Sequence, residues 1–411
     1  MSGTPLVILL CCAACASARA AAVRSIATEG NTKTADSYIL GRLGFGVGDE
    51  IDDASTQDAK RRLLNTRLFS DVDVRTQESP QGTDVTVSVV ERWSLLPIPF
   101  ASSEGGESSF GMAVLDSNLA GRGQFGLAAA SVSSDGGLSW TLRWEAEGLI
   151  GPWGLEATLY DERSRRREYE DHSIAAEYDS AIAGGNALVL YRLSEGLSAG
   201  LGGGAAWHDF DTVDDYQRKP ADHDVVFARG GLDLDALDWE GAVTRGGLAS
   251  LYCDWAEAGW GSDESFVKVE AAAEAHLPAL GEDTIVLSAG SAWANNLPDG
   301  EDLGLGGANT IRGYYPRELL GDRSLSAGIE YRRAVCARKW GTLTAVGFAD
   351  TGQAWRQGDS PHHDDWYTGV GAGLRVYLAR VLIPALRLEA GYGLDVDDWQ
   401  VHFAIGGALG D

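Results

Sequence analysis

Arginine keeps its charge at any physiological pH, and its planar fork of donors matches carboxylates. One arginine in this chain, Arg312, sits in Ile311-Arg312-Gly313-Tyr314 at the end of a glycine-rich approach through Gly304, Gly306 and Gly307. Two acids follow in stretches that alternate in polarity. Glu330 lies in Leu325-Ser-Ala-Gly-Ile-Glu-Tyr-Arg332, and Asp350 lies in Phe348-Ala-Asp-Thr-Gly352. If the loop holding Arg312 folds back against the strands that follow it, these acids are its natural partners. The chemistry is a fixed ion pair, not a reaction. At its simplest the pair neutralises a buried charge and holds a plug; more specifically, it docks the loop and sets the shape of what surrounds it.

Other chemistry-bearing residues carry less. His362-His363-Asp364-Asp365 has metal-ligand types, but it follows Pro361 in an acidic stretch and reads as a solvated loop. His208 and Asp209 have no serine placed by a motif, which leaves a hydrolase unsupported. The Gly-x-Gly pairs at Gly200/Gly202 and Gly369/Gly371 follow strands with no helix behind them, so they read as glycines that bend a sheet, not as nucleotide loops. No catalytic residue, metal or cofactor is assigned.

The elements that must position Arg312 are strands. From Leu95 onward, segments of roughly ten residues recur with alternating polarity, as in a transmembrane barrel. In Leu138-Ser-Trp-Thr-Leu-Arg-Trp-Glu-Ala-Glu147, one face carries Leu138, Trp140, Leu142, Trp144 and Ala146; the other carries Ser139, Thr141, Arg143, Glu145 and Glu147. A soluble sandwich offers the same alternation strand by strand. Repeated mid-strand charges favour a wet lumen, and Trp140, Trp144, Tyr160, Tyr331, Tyr377 and Tyr392 are spaced like an interfacial girdle. Sixteen strands are expected, near 95–103, 108–118, 124–133, 137–147, 153–163, 184–193, 197–209, 224–235, 245–257, 265–277, 283–294, 323–334, 340–350, 366–378, 383–394 and 399–409. The stretch 163–185 reads as strand or loop.

Residues 23–92 read as a small α+β domain: strand, two helices, two strands. Thr34 to Leu40 starts the first helix; Asp53 or Ser55 caps the second, which carries Ala59, Leu63, Leu64 and Leu68 on one stripe. Before it, residues 1–22 hold a short apolar run ending in small residues, the pattern of a secretory signal peptide, although without an early Lys or Arg. Past that leader only Cys253 and Cys336 remain, so no disulfide framework is implied. A net charge of −27 over 411 residues excludes nucleic acid as a partner.

The Ile-Arg-Gly-Tyr tip resembles the loop of the BamA/TamA family of outer-membrane assembly barrels. The opening Ile26 to Asn31 and the run Leu68-Phe-Ser-Asp-Val-Asp-Val resemble a POTRA domain, present once. The resemblance implies a periplasmic POTRA-like domain (23–92) and an outer-membrane β-barrel (93–411) in a Gram-negative bacterium. It also implies that Arg312, with Gly313 and Tyr314, faces Glu330 and Asp350 inside the lumen. The implied function is insertion of barrel proteins or translocation of a polypeptide, by strand templating and without ATP, cofactor or enzymatic step. Its partners are unfolded outer-membrane or secreted polypeptides, outer-membrane lipid and periplasmic accessory proteins. A two-partner-type secretion transporter and a passive channel are the alternatives.

The seam between first and last strands is a second site. Pro97 and Pro99 cannot donate to a ladder, and Gly406 and Gly407 sit near the other edge. Both features lead to the expectation of a poorly bonded closure, which in the resembled family opens laterally.

Overall fold

The computed structural model describes residues 22–411 except 105, 171, 214–215, 241–242, 282, 362–365, 379–383 and 406–411. The leader, the His362–Asp365 cluster and the seam glycines Gly406 and Gly407 therefore lie outside the described residues.

The N-terminal domain is built from β1 (Val23–Glu29), α1 (Asp36–Arg42), α2 (Asp53–Asn65), β2 (Phe69–Ser79) and β3 (Gly82–Glu91). Its sheet has the order β1-β3-β2, with β1 parallel and β2 antiparallel to β3. The second helix is capped one residue earlier than expected: Asp52 accepts from the Ser55 amide at 2.8 Å, and Ser55 faces back to the Asp52 amide as a capping box. Ala59 and Leu63 bury against Phe69, Val72, Val85 and Val87 to form the core. Leu68 joins that core from the turn, past the end of the helix. β2 and β1 are left as sheet edges.

The rest of the chain closes into an antiparallel barrel. Its strands begin with β4 (Leu95–Glu104), β5 (Glu107–Leu119), β6 (Gln124–Ser133), β7 (Leu138–Ile150), β8 (Trp153–Glu170), β9 (Ser173–Ser194), β10 (Leu197–Thr212) and β11 (His223–Asp235). They continue, past the short β12 (Asp238–Glu240), with β13 (Val243–Ala256), β14 (Phe266–Pro278) and β15 (Thr284–Asn295). A loop containing a small hairpin, β16 (Leu303–Leu305) and β17 (Leu319–Gly321), leads to β18 (Arg323–Arg338), β19 (Gly341–Trp355), β20 (Tyr367–Leu378), β21 (Pro384–Gly393) and β22 (Asp398–Ile405). Three-residue pieces aside, sixteen strands pair with their neighbours and β22 closes on β4.

Side chains sort by the two-residue period. Leu138, Leu142, Leu159, Val189, Leu201, Leu251, Ile329, Leu374, Leu388 and Val401 are exposed on the outer wall, where lipid is their solvent. Two of the expected girdle aromatics do not belong there. Tyr160 is directly opposite Thr141, next to the lumen-facing pair Thr158 and Arg143, and Tyr377 is two residues from the lumen-facing Arg375; both point inward. Alternation identifies a face only once the parity of the whole strand is known, and aromatic type alone does not supply it.

The largest departure is at 163–185. The described residues here are strand on both sides of the turn at His172, the upper halves of β8 and β9, in a hairpin paired from Trp153↔Tyr191 to Glu170↔Ser173. With 18 and 22 residues these strands far exceed the ten of β4, so the hairpin is tall. Arg163 to Arg167 disguised it, but cross-strand acids answer the cations: Arg165 bonds Asp179 at 2.9 Å and Arg167 bonds Glu177 at 2.9 Å.

Candidate functional site: a charge-locked loop beside the seam

The loop between β15 and β18 starts as a two-stranded stem, Leu303↔Gly321 to Leu305↔Leu319. It then turns inward through positions that side chains resist. Gly306 and Gly307 have φ of 116° and 90°, and a Cβ on Gly306 would sit 2.2 Å from the Tyr315 carbonyl oxygen. Thr310 Oγ1 staples the turn, accepting from the Gly306 amide at 2.7 Å and donating to its carbonyl at 2.8 Å. Ile311 and Tyr314 are fully buried and pack with Leu305, Leu319, Tyr367 and Val396. Tyr314 donates to Asp395 at 2.8 Å.

Between them Arg312 enters the wall. Its Nε and Nη2 bond the two Asp350 oxygens at 2.7 and 2.8 Å, its Nη1 bonds Glu330 at 2.7 Å, and its amide reaches Asp350 at 3.2 Å. The guanidinium lies flat on Phe348, with Cζ 3.5 Å from the ring centroid. Arg312, Glu330 and Asp350 thus come together as expected. Asp350 sits inside β19, five residues before its end at Trp355, not at the close of the strand.

Sequence reasoning missed half of the cluster. Glu389 on β21, 1% exposed, accepts from Arg312 at 3.1 Å. Arg375 on β20 bridges Glu330 at 2.8 Å and Glu389 at 2.7 Å. Arg387 bonds Glu389 at 2.9 Å and the Ala308 carbonyl at 2.6 Å; Arg332 bonds Glu330 at 2.5 Å. Three acids face four arginines, so no acid in the group lacks a cation. The signal was the polar parity of Leu386-Arg387-Leu388-Glu389, whose register against Arg375 only the ladder reveals.

Gly369, one of the glycines read as sheet-bending, has a sharper role, shared with Gly391. A Cβ on Gly369 would lie 1.7 Å from the Arg312 carbonyl oxygen, and one on Gly391 would lie 2.6 Å from the Gly313 amide. Gly313, at φ 107°, presses on Tyr392 and Gly393. The loop tip therefore rides in a furrow of missing side chains across β20 and β21.

From outside, the tall β8–β9 hairpin holds the same loop. Tyr169 stacks on Tyr315 with centroids 5.0 Å apart, Arg166 donates to the Gly300 carbonyl at 2.8 Å, and His172 Nδ1 is 2.5 Å from Glu318. On the lumen side a cavity of about 1540 Å³ separates the loop residues Asn309 and Thr310 from the N-terminal domain residues Tyr38, Arg42 and Arg62. That domain is docked across the barrel mouth. Lys33 bonds Asp116 at 2.7 Å, and Arg67 bonds Asp235 at 2.8 Å on a different turn.

Among the described residues β22 and β4 share three register pairs, Phe403↔Ser103, Ala404↔Ser102 and Ile405↔Ala101, against eight between β21 and β22. Pro97 and Pro99 lie in β4 opposite Val114 and Met112 of β5 and give no amide hydrogen to either neighbour. Just above, Glu104 lies 3.0 Å from His402 across the seam and accepts from the loop's Ala308 amide at 2.5 Å. The loop touches the closure directly.

A closed sixteen-stranded barrel, one small α+β domain docked at its mouth and an arginine-tipped loop folded into the lumen define a class of outer-membrane protein. The chain belongs to the Omp85 superfamily: the family model described as "Omp85 superfamily domain" matches residues 118–408, and the POTRA model described as "Surface antigen variable number repeat" matches residues 21–92. Its place is the Gram-negative outer membrane, with the POTRA domain in the periplasm. Among curated proteins no sequence matches the chain. Solved structures with the same fold include BamA from Haemophilus ducreyi lacking POTRA domains 1-3, at 16% identity and a TM-score of 0.61, covering 94% of this chain and 84% of that one. CdiB from Escherichia coli is similar at 16% identity and a TM-score of 0.66, covering 94% and 76%. CdiB from Acinetobacter baumannii follows at 15% and 0.64, covering 94% and 73%.

Proposed function

We propose that this chain inserts or translocates polypeptides at the outer membrane, taking an extended client at the POTRA sheet edge and passing it to the β22–β4 seam. The observation that carries the reading is at the loop: Arg312 is fixed by three acids on β18, β19 and β21, and the same loop bonds Glu104 on the seam strand β4 through the Ala308 amide. The locked loop holds the barrel rigid up to β21 and leaves the neighbouring edge free to template a strand. A lumen bounded by the loop on one side and the POTRA domain on the other favours a guided polypeptide over free solute flow. No covalent step is needed.

A dedicated secretion transporter is the second reading, favoured by the likeness of the fold to CdiB. The outer-membrane proteome of a deletion strain tests both. Broad loss of other barrel proteins is expected for an assembly factor, and loss of one or two proteins for a dedicated transporter. An unchanged proteome together with steady single-channel conductance would overturn the proposal in favour of a passive channel.

A further inference from the structure

The geometry points to a binding site for a divalent transition metal of the zinc class, formed by His208, His223 and Glu301. His208 on β10 and His223 on β11 are direct cross-strand partners and face the lumen. Both are more than nine-tenths buried, and their rings lie face to face with centroids 4.5 Å apart. Glu301 comes from a different part of the chain, the first limb of the arginine-tipped loop, and its Oε1 is 2.7 Å from His208 Nε2. One ligand atom from each of the three residues lies within 4.8 Å of the others.

The protonation pattern separates a metal site from an ordinary hydrogen-bonded histidine. His223 Nδ1 lies 3.0 Å from the Ala221 carbonyl oxygen, which can only accept, so Nδ1 holds the ring hydrogen. Nε2 is then a bare lone pair. It is buried and has no hydrogen-bond partner. A buried acceptor left unmatched costs about 1–3 kcal/mol, and a cation is the natural way to satisfy it. Donation of the second ring nitrogen to a backbone carbonyl is also how metal-bound imidazoles are oriented.

The surroundings hold the third ligand in place. A Cβ on Gly300 would lie 2.7 Å from Phe210, so the loop closes on that ring only because Gly300 has none. Arg166 grips the Gly300 carbonyl at 2.8 Å. Two imidazoles and one carboxylate suit Zn²⁺, Ni²⁺ or Cu²⁺, whereas Ca²⁺ and Mg²⁺ want an all-oxygen shell. Bonds of about 2.0–2.2 Å to nitrogen and oxygen require only a small rotation of the three side chains. The ion would tie the loop's first limb to the β10–β11 wall, on a wall distinct from the β18–β21 strands that hold Arg312.

The test uses the full chain in detergent, stripped with a chelator and titrated with Zn²⁺ against a chromophoric competitor. Wild type is expected to bind one more Zn²⁺ per chain than His223→Ala, and Glu301→Gln to bind that ion at least about tenfold more weakly. Zn²⁺ should also slow proteolysis of the loop limb around Glu301 in wild type and not in His223→Ala. Retention of the heat-modifiable barrel band establishes that each variant folds. Equal Zn²⁺ stoichiometry and affinity in wild type, His223→Ala and Glu301→Gln would overturn the assignment, as would a wild type that takes up none.

Discussion

Around the barrel, the β18–β21 wall and the β22–β4 junction stand side by side and are held by opposite means. In the wall, side chains do the holding. Three acids and four arginines interlock across neighbouring strands, and a loop adds its own cation from within. At the junction the described residues give three backbone pairs, next to two prolines, and among them the Glu104–His402 contact links side chains across it. Under the proposed function the junction is where a client strand enters, and the interlocked wall beside it fixes the place of entry.

That contrast can be broken from either side. The largest effect is expected from stapling the junction. Ser102→Cys with Ala404→Cys, in a Cys253→Ser, Cys336→Ser background, places two thiols on a register pair of the seam. Oxidation should abolish delivery of client protein to the membrane, and reductant should restore it; delivery that continues in the oxidised protein removes the seam from the mechanism. Next comes the wall. Arg312→Ala leaves Asp350 without its paired cation in a buried site, which should destabilise the barrel by about 3–5 kcal/mol, read as a lower urea midpoint of the heat-modifiable form. A variant as stable and as active as wild type would reduce the cluster to charge neutralisation.

A third change works through shape alone. Gly369→Val leaves every charge in place but drives a side chain into the Arg312 carbonyl. A cost of about 1–3 kcal/mol and faster cleavage of the loop by added protease are expected, and unchanged cleavage would mean that the furrow does not seat the tip. The smallest effect belongs to the outer clasp. Burial pushes His172 down, but the bond to Glu318 and then that to Asp398 outweigh it and raise it above its ordinary value of 6.5. The folded value exceeds the unfolded one, so the clasp contributes fully below about pH 6.5 and fades as pH rises through the raised value. The contribution is at most about 1 kcal/mol. Amide protection around Glu318, the exchange rate taken relative to the intrinsic base-catalysed rate, should fall from pH 6 to pH 8 in wild type and stay flat in His172→Gln.

What the sequence disclosed follows from what each signal encodes. Alternation gave the strands, and the order loop-arginine, acid, acid gave Arg312, Glu330 and Asp350, because those residues are close along the chain. Glu389 and Arg375 stayed hidden because their roles depend on the register of β20 against β21, which no local pattern carries. The β8–β9 hairpin was obscured by its own arginines, whose partners lie across the ladder and not beside them. Gly369 looked like a bend, since a glycine that makes room for another segment is indistinguishable, in one dimension, from a glycine that turns.

The furrow of Gly369, Gly391 and Gly393 has a consequence for how this protein can vary. At the furrow the loop tip meets the wall backbone to backbone, so this part of the seat depends on missing side chains and not on matched ones. Drift in the tip's outward residues leaves the seat intact, while any replacement of a furrow glycine can only fill it. The seat of the latch is thereby set by what these positions lack, and the same backbone contact accepts any side chain at the tip that points away from the furrow.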